Sequence, residues 1–179
     1  MRPRLRKTAL IAHVTFSVGW IGAIVGFLAL AVAGVLGSDE PRVRAMYLAM
    51  ETVGWFVIVP LSVASLLSGV IQALGTEWGV FRHYWVVIKL VINLLATAVL
   101  LLHMQPVGRL AGAAASGPLI DAGLGGLQIQ MIVDAGAAIL VLLVATALSV
   151  WKPRGVTRRG YKHARRVAGP AGPGAPARV

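Results

Sequence analysis

The chain has 179 residues, of which 58% are hydrophobic and 13% charged, a balance outside that of ordinary soluble domains and with no room for a soluble catalytic domain beside the apolar segments. Its formal net charge of +11 is gathered at the two ends of the chain, next to apolar runs, which points away from nucleic acid and toward anionic lipid head groups. The absence of cysteine excludes disulfides, thiolate metal sites and cysteine nucleophiles, and leaves histidine-based sites open.

The amino end, MRPRLRK, carries four positive charges before an apolar run from Thr8. Ala31 to Ala33 read AVA, the small-residue signature of signal-peptide cleavage, but the apolar run is too long for a signal sequence. Residues 8–36 are therefore predicted as a retained first span. Gly22 and Gly26 form a small-xxx-small pair expected to pack closely on another helix. His13 lies near the start of this span, with Ser17 and Trp20 on the following turns.

SDEPRVR, residues 38–44, reads as a polar turn before a second span over 45–75. Glu51, Trp55, Ile58, Ser62, Ser65, Gly69 and Gln72 recur at steps of three and four, marking a face that meets protein. Pro60 removes a backbone donor mid-span and predicts a kink, with Ser62 placed to satisfy a freed carbonyl. Ser62, Ser65 and Ser68 fit packing on such a helix better than catalysis.

The third span, 84–104, follows His83 and carries Lys89, Asn93 and His103 among leucines and valines. At about 100° per residue these three share one narrow sector with Leu100, and charge in hydrocarbon usually faces a partner or a cavity. Trp78, Tyr84 and Trp85 serve as interfacial anchors. Residues 105–126, with Pro106, Pro118 and Asp121, are predicted as a loop in which the alanines could form a short surface helix. The fourth span, 127–151, carries Gln128, Gln130 and Asp134. Residues 152–179 form a basic segment containing His163, then a tail rich in Gly, Ala and Pro with no means of building a core.

The fold class is thus all-α: one domain over 1–151, an integral membrane four-helix bundle. Thirteen of the 17 Lys and Arg residues fall in the termini and the second loop and three in the first and third loops, so both termini are expected to be cytoplasmic. At about 1.5 Å per residue, His13 and Lys89 each lie roughly 7 Å inward from that side, at a depth where they could touch. Glu51, His103 and Asp134 form a second polar level toward the other side.

HVTFSVGWIGA in the first span, with HYWVVIKLVINLL ending in LLLH in the third, resembles the HemJ-like protoporphyrinogen oxidase group and the copper-resistance D-like membrane domains. A nearer likeness is to small four-span integral membrane proteins of unknown function, and it covers most of residues 8–151. In the HemJ-like group the histidine of the first helix and the lysine of the third are the essential pair, and the histidine is associated with haem b. The resemblance therefore implies that His13 ligates haem iron and that Lys89 acts as catalytic or cofactor-binding partner; Asn93, one turn from Lys89 in the same sector, is the further candidate for cofactor binding. The family pattern continues with a proline, an arginine and a tyrosine-histidine pair, where this chain has IVGFLALAVAG. That departure separates haem binding from protoporphyrinogen oxidation itself.

Two other functions stand beside a haem-binding redox protein. Glu51, His103 and Asp134 have ligand types suited to copper(II) or another divalent ion, and acid and histidine chains also conduct protons; Met46, Met50, Met104 and Met131 lie near the same level. The third is a non-enzymatic bundle that forms a homo-oligomer or partners a larger membrane complex, its polar faces serving only packing.

Overall fold

The structure is a computed structural model that describes residues 3–75, 84–117 and 123–151. Among these, every regular element is a helix. Helix α1 spans Pro3–Leu36, α2 Glu40–Val53, α3 Val59–Gly75, α4 Tyr84–Ser116 and α5 Gly125–Trp151. A π-helical turn, Gly54–Ile58, joins α2 to α3 without a break. Four helices result, α1, α2 through α3, α4 and α5, each long and apolar enough to cross a membrane.

Three boundaries differ from the sequence reading. Helix α1 starts five residues earlier than Thr8, with Pro3 at its first position, where the missing N–H has no intrahelical partner to lose. The PRVR stretch read as a turn belongs to α2 for the same reason: Pro41 falls in the first turn, and Val43 N–H already reaches Asp39 O at 3.0 Å. The largest difference is at residues 105–116, expected as loop, which continue α4 through Pro106. This extension is held by tertiary contact. Val107, Leu110, Ala111 and Ala114 are buried in it, and Arg44 of α2 donates to the carbonyls of Ala114 and Ala115, the terminal acceptors that a helix leaves open. Its alanines also favour the helix.

The irregularity predicted at Pro60 takes the form of the π turn just before it. Val59 N–H bonds Gly54 O, one residue further back than in an α-helix, and the widened turn makes room for a proline whose ring crowds the preceding carbonyls. The Ser62 hydroxyl donates to Val59 O at 2.8 Å, not to the Phe56 carbonyl that Pro60 leaves without its usual donor. The extra residue in the turn also resets the helix face. Ile58, Ser62 and Ser65 are buried as expected, whereas Trp55 is turned outward and is 47% exposed.

Helix α1 packs against α2, α3 and α5, and α4 packs against the same three, so α1 and α4 face each other across the diagonal of the bundle. The core contains Trp20, Ile24, Phe27, Tyr47, Met104 and Met131. Large apolar side chains also cover the outside, among them Leu36, Phe56, Leu74, Val99 and Leu140, while His13, Asn93, Thr97 and three serines are buried. Apolar outside with polar groups inside is the arrangement hydrocarbon favours.

Gly22 and Gly26, expected at a helix contact, are exposed, and a Cβ at either would meet nothing within 4 Å. The close approach is at Gly34, where a Cβ would lie 2.8 Å from the ring of Tyr47, itself 1% exposed. A rigid buried ring cannot give way. Gly34→Ala is therefore expected to destabilise the bundle by about 1–3 kcal/mol, while Gly22→Ala should be neutral or stabilising by about 0.5–1 kcal/mol through its helix preference. Reversible unfolding in mixed detergent measures both, and equal effects at the two positions would remove the packing assignment.

Candidate functional site at the His13 end

Helices α1, α3, α4 and α5 enclose a cleft of about 640 Å³ at the end of the bundle where α1 begins. His13, 6% exposed, stands in its wall. The imidazole is fixed by α3. Its Nδ1 lies 3.1 Å from Ser65 O and 3.0 Å from Ser68 Oγ. A carbonyl can only accept, and the Ser68 hydroxyl spends its own proton on Ala64 O at 2.6 Å, so both contacts require Nδ1 to carry the hydrogen. In the neutral ring Nε2 is then bare, and it is Nε2 that turns toward the cleft, 3.5 Å from Lys89 Nζ. A histidine held through one ring N–H by a backbone carbonyl presents the other nitrogen as a ligand or proton acceptor.

The surroundings fix this arrangement further. Gly69 lets α1 and α3 approach, since a Cβ there would lie 3.1 Å from His13 Cε1. Ser17 and Ser65 hydroxyls meet at 2.8 Å, and the Gln72 amide donates to Ala9 O at 2.9 Å, so α3 is tied to α1 on both sides of the imidazole. Asn93, 7% exposed, lies one turn beyond Lys89 on α4 and lines the same cleft. The charge of the cleft is one-sided: Lys89 and Arg6 line it, and no carboxylate does so among the described residues.

His13 and Lys89, placed at one depth by helix rise, lie in contact, and Asn93 lines the same cleft. At the other end His103 Nδ1 lies 3.0 Å from Asp134 Oδ2, which also accepts from Gln130 Nε2 at 3.1 Å. The His103 ring sits edge-on to Phe27, with centroids 6.3 Å apart. Glu51 does not join this pair: its carboxylate lies against Gly108, and among the described residues no three His, Asp or Glu side chains gather at one point. Met50, Met104 and Met131 are buried in the core. His83, Trp78, Pro118, Asp121, His163 and the basic tail lie outside the described residues.

Sequence reasoning assigned Ser65 and Ser68 to packing alone and missed their hold on His13. It also passed over Thr97, buried one turn beyond Asn93. The signal for Thr97 was present in the i, i+4 series Lys89, Asn93, Thr97.

No family model, no curated protein and no solved structure matches this chain.

The hydrogen bonding of His13 makes a direct spectroscopic prediction. In histidine-labelled protein, nitrogen NMR should show a neutral ring protonated at Nδ1, and Ser68→Ala should leave that tautomer in place because Ser65 O remains. A ring protonated at Nε2 in the unmodified protein would contradict the assignment.

Proposed function

We propose that this chain is a multi-pass protein of the inner or plasma membrane, with both termini cytoplasmic, that binds haem b through His13 in a redox-linked role. The observation that carries the reading is the bare Nε2 of His13, pinned from behind by Ser65 and Ser68 and aimed into a cleft between four helices. The volume of about 640 Å³ lies within the range of roughly 300–1,000 Å³ usual for small-molecule and cofactor sites. Its lining suits an amphipathic anion. Apolar side chains such as Leu10, Ile21 and Leu142 would face a flat ring system, and Lys89 and Arg6 would offer positive charge to its carboxylates, with no lining acid among the described residues to oppose them.

The HemJ-like resemblance, carried by the same histidine and lysine, supports this reading, and the orientation follows from the concentration of basic residues in the termini and second loop. Bound haem would supply one-electron chemistry at iron. The protein's own part is positional. Ser65 O and Ser68 Oγ keep Nδ1 protonated and so keep Nε2 available, while Lys89, on a flexible stem, can turn from Nε2 to a carboxylate or pass a proton at Nζ. Trp20, buried, also lines the cleft. The residues that follow the histidine motif in the HemJ-like pattern have no counterpart here, so the proposal is haem binding and not protoporphyrinogen oxidation.

An absorption spectrum of detergent-purified protein, oxidised and then reduced with dithionite, tests the proposal. A Soret band that shifts on reduction is expected. His13→Ala should abolish the pigment with the bundle still inserted, and His163→Ala should leave it unchanged. Gly69→Ala, which crowds the imidazole, should lower haem occupancy without removing the ligand. Colourless protein after expression with added haem, or full pigment in the His13 variant, would overturn the ligand assignment.

A further inference from the structure

Lys89 touches His13, and His103 stacks edge-on against Phe27, with the same sequence separation of 76 residues. Helices α1 and α4 therefore run parallel and in constant register across the diagonal, and whatever their facing side chains carry is ordered by level between the two ends. Midway, within a residue of the same level, stand Trp20 on α1 and Thr97 on α4. Trp20 is 2% exposed and Thr97 7%, and neither the indole Nε1 nor the hydroxyl has a hydrogen-bond partner. The third buried polar atom without a partner in this interior is His103 Nε2, the ring nitrogen opposite the one held by Asp134.

Thr97 differs from four other helical hydroxyls in a telling way. Thr8, Thr52, Thr146 and Ser149 each close on the carbonyl four residues back, the inexpensive solution for a hydroxyl in a helix. Thr97 does not. A buried hydroxyl that declines its own backbone carbonyl, at the level of a buried indole N–H that also has no partner, is a place where internal water would complete the bonding.

We propose that the bundle interior is a proton path. It runs from the His103–Asp134 pair to the His13–Lys89 pair through ordered water held by Thr97, Trp20 and Asn93. By helix rise the two pairs stand about 21 Å apart, with Asn93 and Thr97 at successive turns of about 6 Å from Lys89 and a last step of about 9 Å to His103. One water would span each shorter step and two the longer, which passes the level of the apolar Ile24 and Leu100. The Thr97 hydroxyl both donates and accepts, so it can relay a proton, whereas the Trp20 indole only donates and orients water.

Asp134, whose side chain is 40% exposed, takes up the proton with His103. The proton is released at His13 Nε2 and Lys89 into the cleft. Only N–H and O–H bonds break and form, every group returns to its starting state, and no co-reactant is consumed. Among the described residues, the titratable groups facing this interior are His13 and Arg6 from α1, Glu51 from α2, Lys89 and His103 from α4 and Asp134 from α5, while α3 contributes serines. Tyr47, whose buried hydroxyl also lacks a partner, packs at Gly34 beyond His103 and is off the route.

The test uses the full chain, without haem, in vesicles enclosing a pH-sensitive dye, with proton entry driven by a potassium gradient and valinomycin. The unmodified protein should conduct faster than protein-free vesicles. Thr97→Val and Asp134→Asn should each lower the flux roughly tenfold or more, Thr97→Ser should retain it, and Thr52→Val, on the outer face, should change nothing. Flux equal to that of protein-free vesicles, or a Thr97→Val variant that conducts like the parent, would overturn the proposal. The inference does not rest on haem. Colourless protein that conducts would uphold the path and end the haem reading, and pigmented protein that does not conduct would do the reverse.

Discussion

The imidazole of His13 sits where it does because α3 offers it a backbone carbonyl with a second lone pair. Ser65 O belongs to a helix, yet a carbonyl oxygen can accept twice, and the missing side chain at Gly69 brings α1 near enough for Nδ1 to use it. Once Nδ1 is committed, Nε2 has one direction left, toward Lys89 and the cleft. The Ser17–Ser65 and Gln72–Ala9 bonds then act as a clamp on either side, so the orientation of one ring is carried by the seam between two helices. At a buried site, each of these bonds has more weight than on an exposed surface, because the alternative is an unsatisfied group in an apolar medium.

That economy extends through the interior. Two polar pairs lie toward the two ends, His13 with Lys89 and His103 with Asp134, and between them lie Trp20 and Thr97, whose polar atoms have no partner. Packing alone would have been better served by leucine and phenylalanine at Thr97 and Trp20. Keeping a hydroxyl and an indole N–H there costs stability, and such costs in a bundle core are usually attached to something the interior must hold or pass.

The four apolar spans were legible from run length and composition, since nothing else in so short a chain explains them. The common level of His13 and Lys89 was legible too, because the first and third helices of an alternating bundle begin at the same end and helix rise then sets how far along each residue lies. The end of α4 was not. Pro106 and the glycines after it weigh as helix breakers in any local reading, and the contacts that override them come from α2, more than sixty residues away in the chain. Gly22 and Gly26 carry the spacing of a packing motif, but which face of α1 is covered depends on neighbours the motif does not name; the ring of Tyr47 is what makes Gly34 the position in contact. Serines that clamp a ligand and serines that only pack have the same spacing, so Ser65 and Ser68 could be read only once their oxygens had partners.

The π turn at Gly54–Ile58 gives the second span two phases. Above it, Tyr47 and Met50 set the face that meets α1 and α4; below it, Ser65 and Ser68 set the face that meets His13. An uninterrupted α-helix with one residue fewer would rotate everything after Ile58 by about 100° relative to what precedes it. The packing end could then be kept only by turning the serines away from the imidazole. The single inserted residue lets one continuous helix serve two unrelated demands, so that substitutions that tune the core near Tyr47 are not transmitted as rotation to the histidine at the far end.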